Sequence, residues 1–169
     1  MTHSLLYDEI SSPIGIVLVA IFQDQLIALD FADYVERMHQ LLKRRIGTFT
    51  LTKKRNPAGI ATPVRQYFDG DLHAFDQVPL ALHGSTFQER AWQALRTIRP
   101  GQIATYGEQA IKIGAPKAAR AVGHANGQNP IAIAVPCHRV IGNNRSLTGY
   151  AGGLDRKRWL LSHEGVSIA

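Results

Sequence analysis

The sequence predicts an α+β protein of two domains, a small α/β domain over residues 1–83 and a mostly helical domain over residues 84–169. Three observations lead there. Strand-length apolar stretches dominate the first half, whereas capping boxes and glycine stops punctuate the second. Charge divides at the same place: residues 1–83 carry 8 Lys/Arg against 9 Asp/Glu, and residues 84–169 carry 11 against 4. A chain of 169 residues, 45% apolar, can bury a sizeable core and is neither a disordered tail nor a membrane protein.

In the first half, Ser4–Ile10 and Ile14–Ile21 read as strands parted by Ser11-Ser12-Pro13, and Gln23-Asp24 turns into a third, Leu26–Phe31. Tyr34, Met38, Leu41 and Leu42 recur at helical spacing, predicting a helix from Asp33 to about Arg45. Asn56-Pro57-Ala58-Gly59 breaks the chain. Ile60, Val64, Tyr67 and Phe68 then repeat the helical pattern, with Pro63 in the first turn and Asp69-Gly70 as the stop. Val78, Leu80 and Leu82 alternate as a last strand. No nucleophile and base cluster in this half, and a structural role is expected.

The second half opens with Thr86-Phe87-Gln88-Glu89, read as a capping box with Thr86 as N-cap. The helix it starts places Phe87, Ala91, Leu95 and Ile98 on one face and stops at Pro100-Gly101. Thr105-Tyr106-Gly107-Glu108 is a second box, opening a short helix to about Ile113. Gly114 ends it, and Pro116 is placed to start another helix, to about Asn126. Two short helices joined by a glycine turn form the helix-turn-helix pattern. The second is nearly bare: Ala118, Ala119, Ala121, Gly123 and Ala125 leave only Lys117, Arg120 and His124 projecting. Such a face suits a neighbouring helix or a nucleic-acid groove, and the surplus of positive charge in this half suits a phosphate backbone.

Several classes are excluded early. No apolar run nears the roughly 20 residues of a membrane-spanning helix, and Met1-Thr2-His3-Ser4 lacks the layout of a signal peptide. A cytoplasmic protein is expected. One cysteine forbids an internal disulfide and a cysteine-rich zinc site, and none of the seven histidines lie three or four apart. No metal or other cofactor is expected.

That cysteine is the chemistry. Ile131–Val135 reads as a buried strand, followed at once by Pro136-Cys137-His138-Arg139-Val140. Proline cannot donate to a strand ladder, so the strand should end there and leave Cys137 at a strand-to-loop corner. A free cysteine is most often a small buried hydrophobe. A following base and cation, however, favour the thiolate. His138 can serve Cys137 only through a turn or a bridging water, because strand neighbours point to opposite faces.

Pro136-Cys137-His138-Arg139-Val140 resembles the active-site signature of the O6-alkylguanine–DNA alkyltransferases, the methylated-DNA–protein-cysteine methyltransferases. Asn129-Pro130, Lys117-Ala118-Ala119-Arg120-Ala121-Val122-Gly123, Tyr106, Gly149-Tyr150-Ala151-Gly152-Gly153 and His163-Glu164-Gly165 fall in family order. The likeness is strong over about residues 84–166. It implies a ribonuclease H-like N-terminal domain and a winged helix-turn-helix-like C-terminal domain.

It also implies a reaction. The target nucleotide is flipped out of double-stranded DNA, Arg120 fills its place, and the helix of Lys117, Ala118, Ala119 and Gly123 lies in the minor groove with little sequence preference. Cys137 attacks the alkyl carbon, His138 acts as base through a water with Glu164 orienting it, and Tyr106 donates toward the guanine oxygen. Asn129 braces a turn, Pro136 and Arg139 frame the nucleophile, and Tyr150, Ala151 and Gly152 form a pocket wall. The implied protein is a monomer that repairs O6-alkylguanine, with O4-alkylthymine a second candidate substrate. A thioether is not hydrolysed in water, so each molecule reacts once.

Two features depart from the family. The zinc site of some relatives has no ligands here, and Ala151 replaces a serine that would bond the base. No appended sensor domain fits in 169 residues. The rivals are a non-catalytic alkyltransferase-like lesion binder, which would lack Cys137, and a helix-turn-helix regulator, which would need base-reading side chains. A thiol hydrolase would need multiple turnover and an oxyanion site.

Overall fold

The computed structural model describes residues 1–168, which divide into two units: 1–83 with 130–134, and 84–129 with 135–168. Among the described residues no helix is long and apolar enough to cross a membrane.

The first unit is built on a four-stranded sheet of β1 (His3–Ser12), β2 (Gly15–Phe22), β3 (Gln25–Phe31) and β4 (Phe49–Lys53) in the order β3-β2-β1-β4. β1, β2 and β3 are antiparallel neighbours, and β4 runs parallel to β1. A two-residue turn joins β2 to β3, and both Gln23 and Asp24 take positive φ, as the hairpin turn that matches strand twist requires. Helix α1 (Val35–Ile46) makes the crossover to β4, burying Met38 and Leu42 against Leu5, Leu18, Ala20, Ile27 and Ala28. Helix α2 (Ala61–Phe68) buries Val64 and Tyr67.

Strand β4 lies where the sequence predicted nothing, although Phe49 and Leu51 alternate with Thr50 and Thr52 at strand period. The expected strand Val78–Leu82 is instead an extended segment with one bridge, Leu26 to Leu80. Pro79 supplies a carbonyl there, and the Arg45 guanidinium takes the carbonyls of Ala81 and Leu82 that a ladder would have used, at 2.6 and 2.7 Å.

Ile131–Val135 is buried as expected, but it is not a strand. One bridge joins Ile131 to Leu29 of β3, and the chain then turns. The Ala134 amide donates to the Ala132 carbonyl at 2.8 Å around Ile133, whose φ of +70° is rare for a β-branched residue. The chain rejoins the second unit at Val135, two residues before Cys137.

The second unit packs helices α3 (Thr86–Leu95), α4 (Tyr106–Lys112), α5 (Ala119–Gly127) and α6 (Leu154–His163) with two short parallel strands, β5 (Ala104–Thr105) and β6 (Val140–Ile141). Ala94, Ala110, Ile113 and Val122 form the core of the helix-turn-helix. The second capping box is as read, Thr105 with Glu108. The first is shifted by one: Ser85 is the N-cap and Gln88 its partner, because the Ser85 hydroxyl reaches the third amide. The shift leaves Gly84 against the indole of Trp92, where a Cβ would fall 2.4 Å from the ring.

Pro116 does not start α5. It lies in a turn closed by the Ala118 amide on the Ala115 carbonyl, and the helix begins at Ala119. Two buried contacts set α5 in place. The Trp92 indole donates to the Ala125 carbonyl at 2.9 Å, and the amides of Gln109 and Asn126 bond reciprocally at 2.9 and 2.8 Å.

Candidate active site

Pro136 stops the preceding segment in a different way from a strand end. The Cys137 amide donates back to the Val135 carbonyl at 2.9 Å across Pro136, a tight three-residue turn. Cys137–Arg139 then form one 3₁₀ turn, replacing the expected strand-to-loop corner. Consecutive side chains on such a turn diverge by about a third of a revolution rather than a half. Cys137, His138 and Arg139 are all buried.

The Cys137 sulfur, 9% exposed as a residue, accepts a hydrogen bond from the Asn129 side-chain amide at 3.2 Å. The same nitrogen donates to the Val135 carbonyl at 2.7 Å, so Asn129 grips both the turn before the cysteine and the sulfur itself. An N–H aimed at sulfur favours the thiolate over the thiol.

Behind the cysteine, His138 Nε2 lies 2.8 Å from Glu164 Oε2, with both side chains out of solvent. Arg139 clasps the same carboxylate through Nε to Oε1 at 2.8 Å and Nη2 to Oε2 at 2.9 Å, and donates Nη1 to the Ile98 carbonyl at 2.6 Å. Burial alone would push Glu164 up, but the bonds and charges of His138 and Arg139 outweigh it and hold the carboxyl well below its usual range. Burial pushes His138 down, and the charges of Arg139 and Lys157 add to that against the opposing pull of Glu164. The ring is therefore neutral near pH 7. An ionised carboxylate fixes the tautomer with hydrogen on Nε2, leaving the Nδ1 lone pair as acceptor; Nδ1 is buried and has no protein partner.

Cys137 opens onto a cavity of about 250 Å³ lined also by Tyr106, Tyr150, Ala151 and Gly149. Tyr106, first residue of α4, is half-buried, and its ring faces Gly123 of α5, where a Cβ would meet two ring carbons at 3.6 Å. Burial raises its pKa, so the phenol keeps its hydrogen. Gly123, Asn126 and Gly127 bring the inner side of α5 to the same cavity. The outer side exposes Arg120, Ala121 and His124; Lys117 is exposed in the turn before the helix, and Ala118 and Ala119 are partly covered. Gly152 is buried just beyond the pocket wall, and its carbonyl accepts from Arg156 at 3.2 Å.

The structure thus gathers Cys137, His138, Arg139, Glu164, Asn129 and Tyr106 at one place, with Tyr150 and Ala151 across from them. Arg120 lies outside the cavity on the exposed face of α5, and Lys117 is exposed in the turn before that helix. Among the described residues no cluster of His, Cys, Asp or Glu could hold a metal.

The sequence reading gave no site role to Lys157 or to Asn126, which it named only as a helix end. Lys157 is fully buried, and its ammonium donates to the carbonyls of Val140, Thr148 and Gly149 at 2.6, 2.7 and 3.1 Å. Burial lowers its pKa to about 8, opposed by the nearby Cys137. The signal was available: Lys157 precedes Leu160 and Leu161 by three and four positions, on the buried face of α6.

Two family models divide the chain. One described as the 6-O-methylguanine DNA methyltransferase, ribonuclease-like domain matches residues 5–82. The other, described as the DNA binding domain of the same methyltransferase, matches residues 86–166. The methylated-DNA–protein-cysteine methyltransferase of Shigella flexneri is 48% identical over 168 residues, covering 97% of this chain and 98% of its own. That of Salmonella typhimurium is 48% identical over 167 residues, with the same coverage. The crystal structure of Mycobacterium tuberculosis OGT in complex with DNA superposes with a TM-score of 0.81 at 44% identity, over 95% of this chain and 92% of that one. With two contiguous domain matches and near-full-length relatives, the chain belongs to the 6-O-methylguanine DNA methyltransferase family.

Proposed function

We propose that this protein repairs DNA directly, by moving the alkyl group of O6-alkylguanine to Cys137 in a single, irreversible turnover. The observation that carries the reading is the placement of the only cysteine on the wall of a cavity, with an N–H on its sulfur and the buried His138–Glu164–Arg139 group next to it in the chain and in space.

The chemistry follows from those groups. His138 Nδ1 takes the thiol hydrogen through one water, and the negative Glu164 steadies the imidazolium that results, as the carboxylate does in a hydrolase triad. Asn129 stabilises the thiolate. The sulfur forms a bond to the alkyl carbon, the carbon–oxygen bond breaks, and its electron pair goes to the guanine oxygen. Tyr106 donates a hydrogen bond to that oxygen as its charge grows. The thioether product has no good leaving group and the site holds no second nucleophile. Arg139 draws charge from Glu164 and keeps it from taking the proton itself.

DNA binding fits the second unit, where the surplus of Lys/Arg lies. The reactive oxygen cannot be attacked inside the stack, so the nucleotide is flipped into the cavity. Arg120 fills the gap, and α5 with Lys117, Ala118, Ala119 and Gly123 lies in the minor groove, whose degenerate edges suit a protein that must find a lesion in any sequence. The protein acts as a monomer in the cytoplasm, where the DNA is. Cys137 speaks against a non-catalytic lesion binder.

The test is peptide mapping by mass spectrometry after incubation with duplex DNA containing O6-methylguanine. One methyl on the Cys137 peptide, and none in Cys137→Ser, is expected. A methyl on another residue, or an unmodified protein beside repaired DNA, would refute the reading.

A further inference from the structure

The stretch of chain that carries the nucleophile also holds the backbone on both sides of Tyr106. After the turn Cys137–Arg139 the chain enters β6, which pairs with β5: Ala104 lies opposite Val140, and Thr105 opposite Ile141. Thr105 is also the N-cap of α4, and Tyr106 is the first residue of that helix. On the other side of Tyr106, the Gly107 amide donates to the Asn143 side-chain oxygen at 3.2 Å. The run 137–143 therefore bears the sulfur at its start and grips both neighbours of Tyr106 at its end.

Gly107 needs such a partner. As the second residue of a helix, its amide has no carbonyl of that helix to bond. The capping box serves its neighbours instead: the Thr105 hydroxyl accepts from the Glu108 amide at 3.1 Å, and the Glu108 carboxylate from the Thr105 amide at 2.9 Å. The loop that offers Asn143 is itself braced. The Gly142 amide donates to the Ser146 carbonyl at 3.0 Å and the Arg145 amide to the Gly142 carbonyl at 2.8 Å. Asn144 Oδ1 accepts from the Ser146 amide and hydroxyl at 3.1 and 2.6 Å. At position 107 a Cβ would fall 3.3 Å from Asn143 Oδ1, so glycine leaves that oxygen its room.

We infer that Asn143 is a positioning residue for alkyl transfer: by accepting from the Gly107 amide, it fixes the peptide plane that follows Tyr106 and so the place of the phenol beside Cys137 in the cavity. The bond is exposed to solvent, and a water that replaces it satisfies the amide at little cost in stability. Water cannot replace the tether to the nucleophile's own segment. A reacting group displaced by about 1 Å can lose on the order of a hundredfold in rate, and one tether among several accounts for a part of that. Asn143 exchanges no atoms or electrons in the step. The inference rests on the proposed role of Tyr106, and the experiment separates the two.

Single-turnover transfer from saturating duplex DNA containing O6-methylguanine is timed for Asn143→Ala, Asn143→Asp, Tyr106→Phe and the Asn143→Ala/Tyr106→Phe pair, with DNA affinity and melting temperature measured alongside. Asn143→Ala should be about three- to tenfold slower, the range for one capping hydrogen bond, with affinity and melting temperature close to wild type. Asn143→Asp, which keeps the acceptor oxygen, should stay within about twofold of the wild-type rate. In the Tyr106→Phe background, Asn143→Ala should add nothing. A wild-type rate for Asn143→Ala beside a slow Tyr106→Phe overturns the role of Asn143 and leaves that of Tyr106 standing. A wild-type rate for Tyr106→Phe overturns both. An equal loss from Asn143→Ala in both backgrounds makes Asn143 independent of the phenol, and an Asn143→Asp as slow as Asn143→Ala takes the acceptor out of the account; either result overturns the inference. So does a loss of DNA affinity with the saturated rate unchanged, which makes Asn143 a DNA contact. Asn143→Leu replaces the alanine variant in every arm should the latter lower the melting temperature.

Discussion

Two buried carboxylates, one in each unit, are clasped by an arginine in nearly the same way. In the first unit Asp30 binds Arg37 through Nε at 2.9 Å and Nη2 at 2.5 Å, and accepts from the Phe31 amide. In the second, Glu164 binds Arg139 through the same two nitrogens. The difference is the third partner. Asp30 spends its remaining capacity on its own backbone, and Arg37 lies over the Tyr34 ring, 4.2 Å from its centroid. Glu164 spends its own on His138, whose other nitrogen has no protein partner and whose chain neighbour is Cys137. A buried ion pair is thus no sign of function by itself. What marks the second is that its hydrogen bonds reach the histidine next in the chain to the reactive cysteine and leave the other ring nitrogen without a protein partner, whereas those of the first close on themselves.

The largest effect should come from breaking the contact between Glu164 and His138. Glu164→Gln is expected to slow methyl transfer by about a hundredfold or more, because a neutral amide neither steadies the imidazolium nor fixes the tautomer. Asp30→Asn should leave the transfer rate within about twofold and lower stability by roughly 3 kcal/mol, the scale for stranding one half of a buried pair. Rapid-quench transfer assays and chemical denaturation on both variants read the contrast. A slow Asp30→Asn, or a fast Glu164→Gln, would erase it.

A second effect is on pH. Both His138 and Glu164 have folded-state pKa values below their ordinary ones. In the unfolded chain each binds its proton first as pH falls, His138 from about 6.5 and Glu164 from about 4.5. Stability from these groups is therefore present at neutral pH and lost progressively on acidification. Denaturation midpoints measured between pH 7 and 4 should fall less steeply in His138→Gln than in the wild type. Parallel slopes would contradict the buried, neutral imidazole.

The smallest effect belongs to Arg45, which donates to the carbonyls of Leu82, Ile27 and Ala81. Arg45→Met should lower stability by about 1–3 kcal/mol, through carbonyls left without a donor. Its transfer rate should not change. A rate loss larger than about threefold would show that the first unit does more than fold.

How far the sequence revealed these two regions depended on whether the signal was local. The nucleophile was legible because Pro136, Cys137, His138 and Arg139 adjoin in the chain, and the capping box at Thr105 because a cap is a four-residue device. Glu164 was legible only through the family resemblance, since 26 residues separate it from His138. Val78–Leu82 and Ile131–Val135 have the composition of strands, yet each makes one bridge, because pairing depends on distant carbonyls and on proline's missing donor. Pro116 fitted the first turn of a helix equally well as the turn before one. Lys157 was missed although its spacing to Leu160 and Leu161 places it on the buried face, because lysine on a helix reads as exposed until three converging carbonyls are seen to hold it.

The central claim is that the sulfur beside His138 in the chain reacts once. The most direct measurement titrates a fixed amount of protein with increasing duplex DNA containing O6-methylguanine and counts methyl groups removed per protein molecule at completion. The account predicts a plateau at one, with the thiol of Cys137 no longer titratable. Continued repair past one lesion per molecule, or a plateau at one with Cys137 still a free thiol, would contradict it.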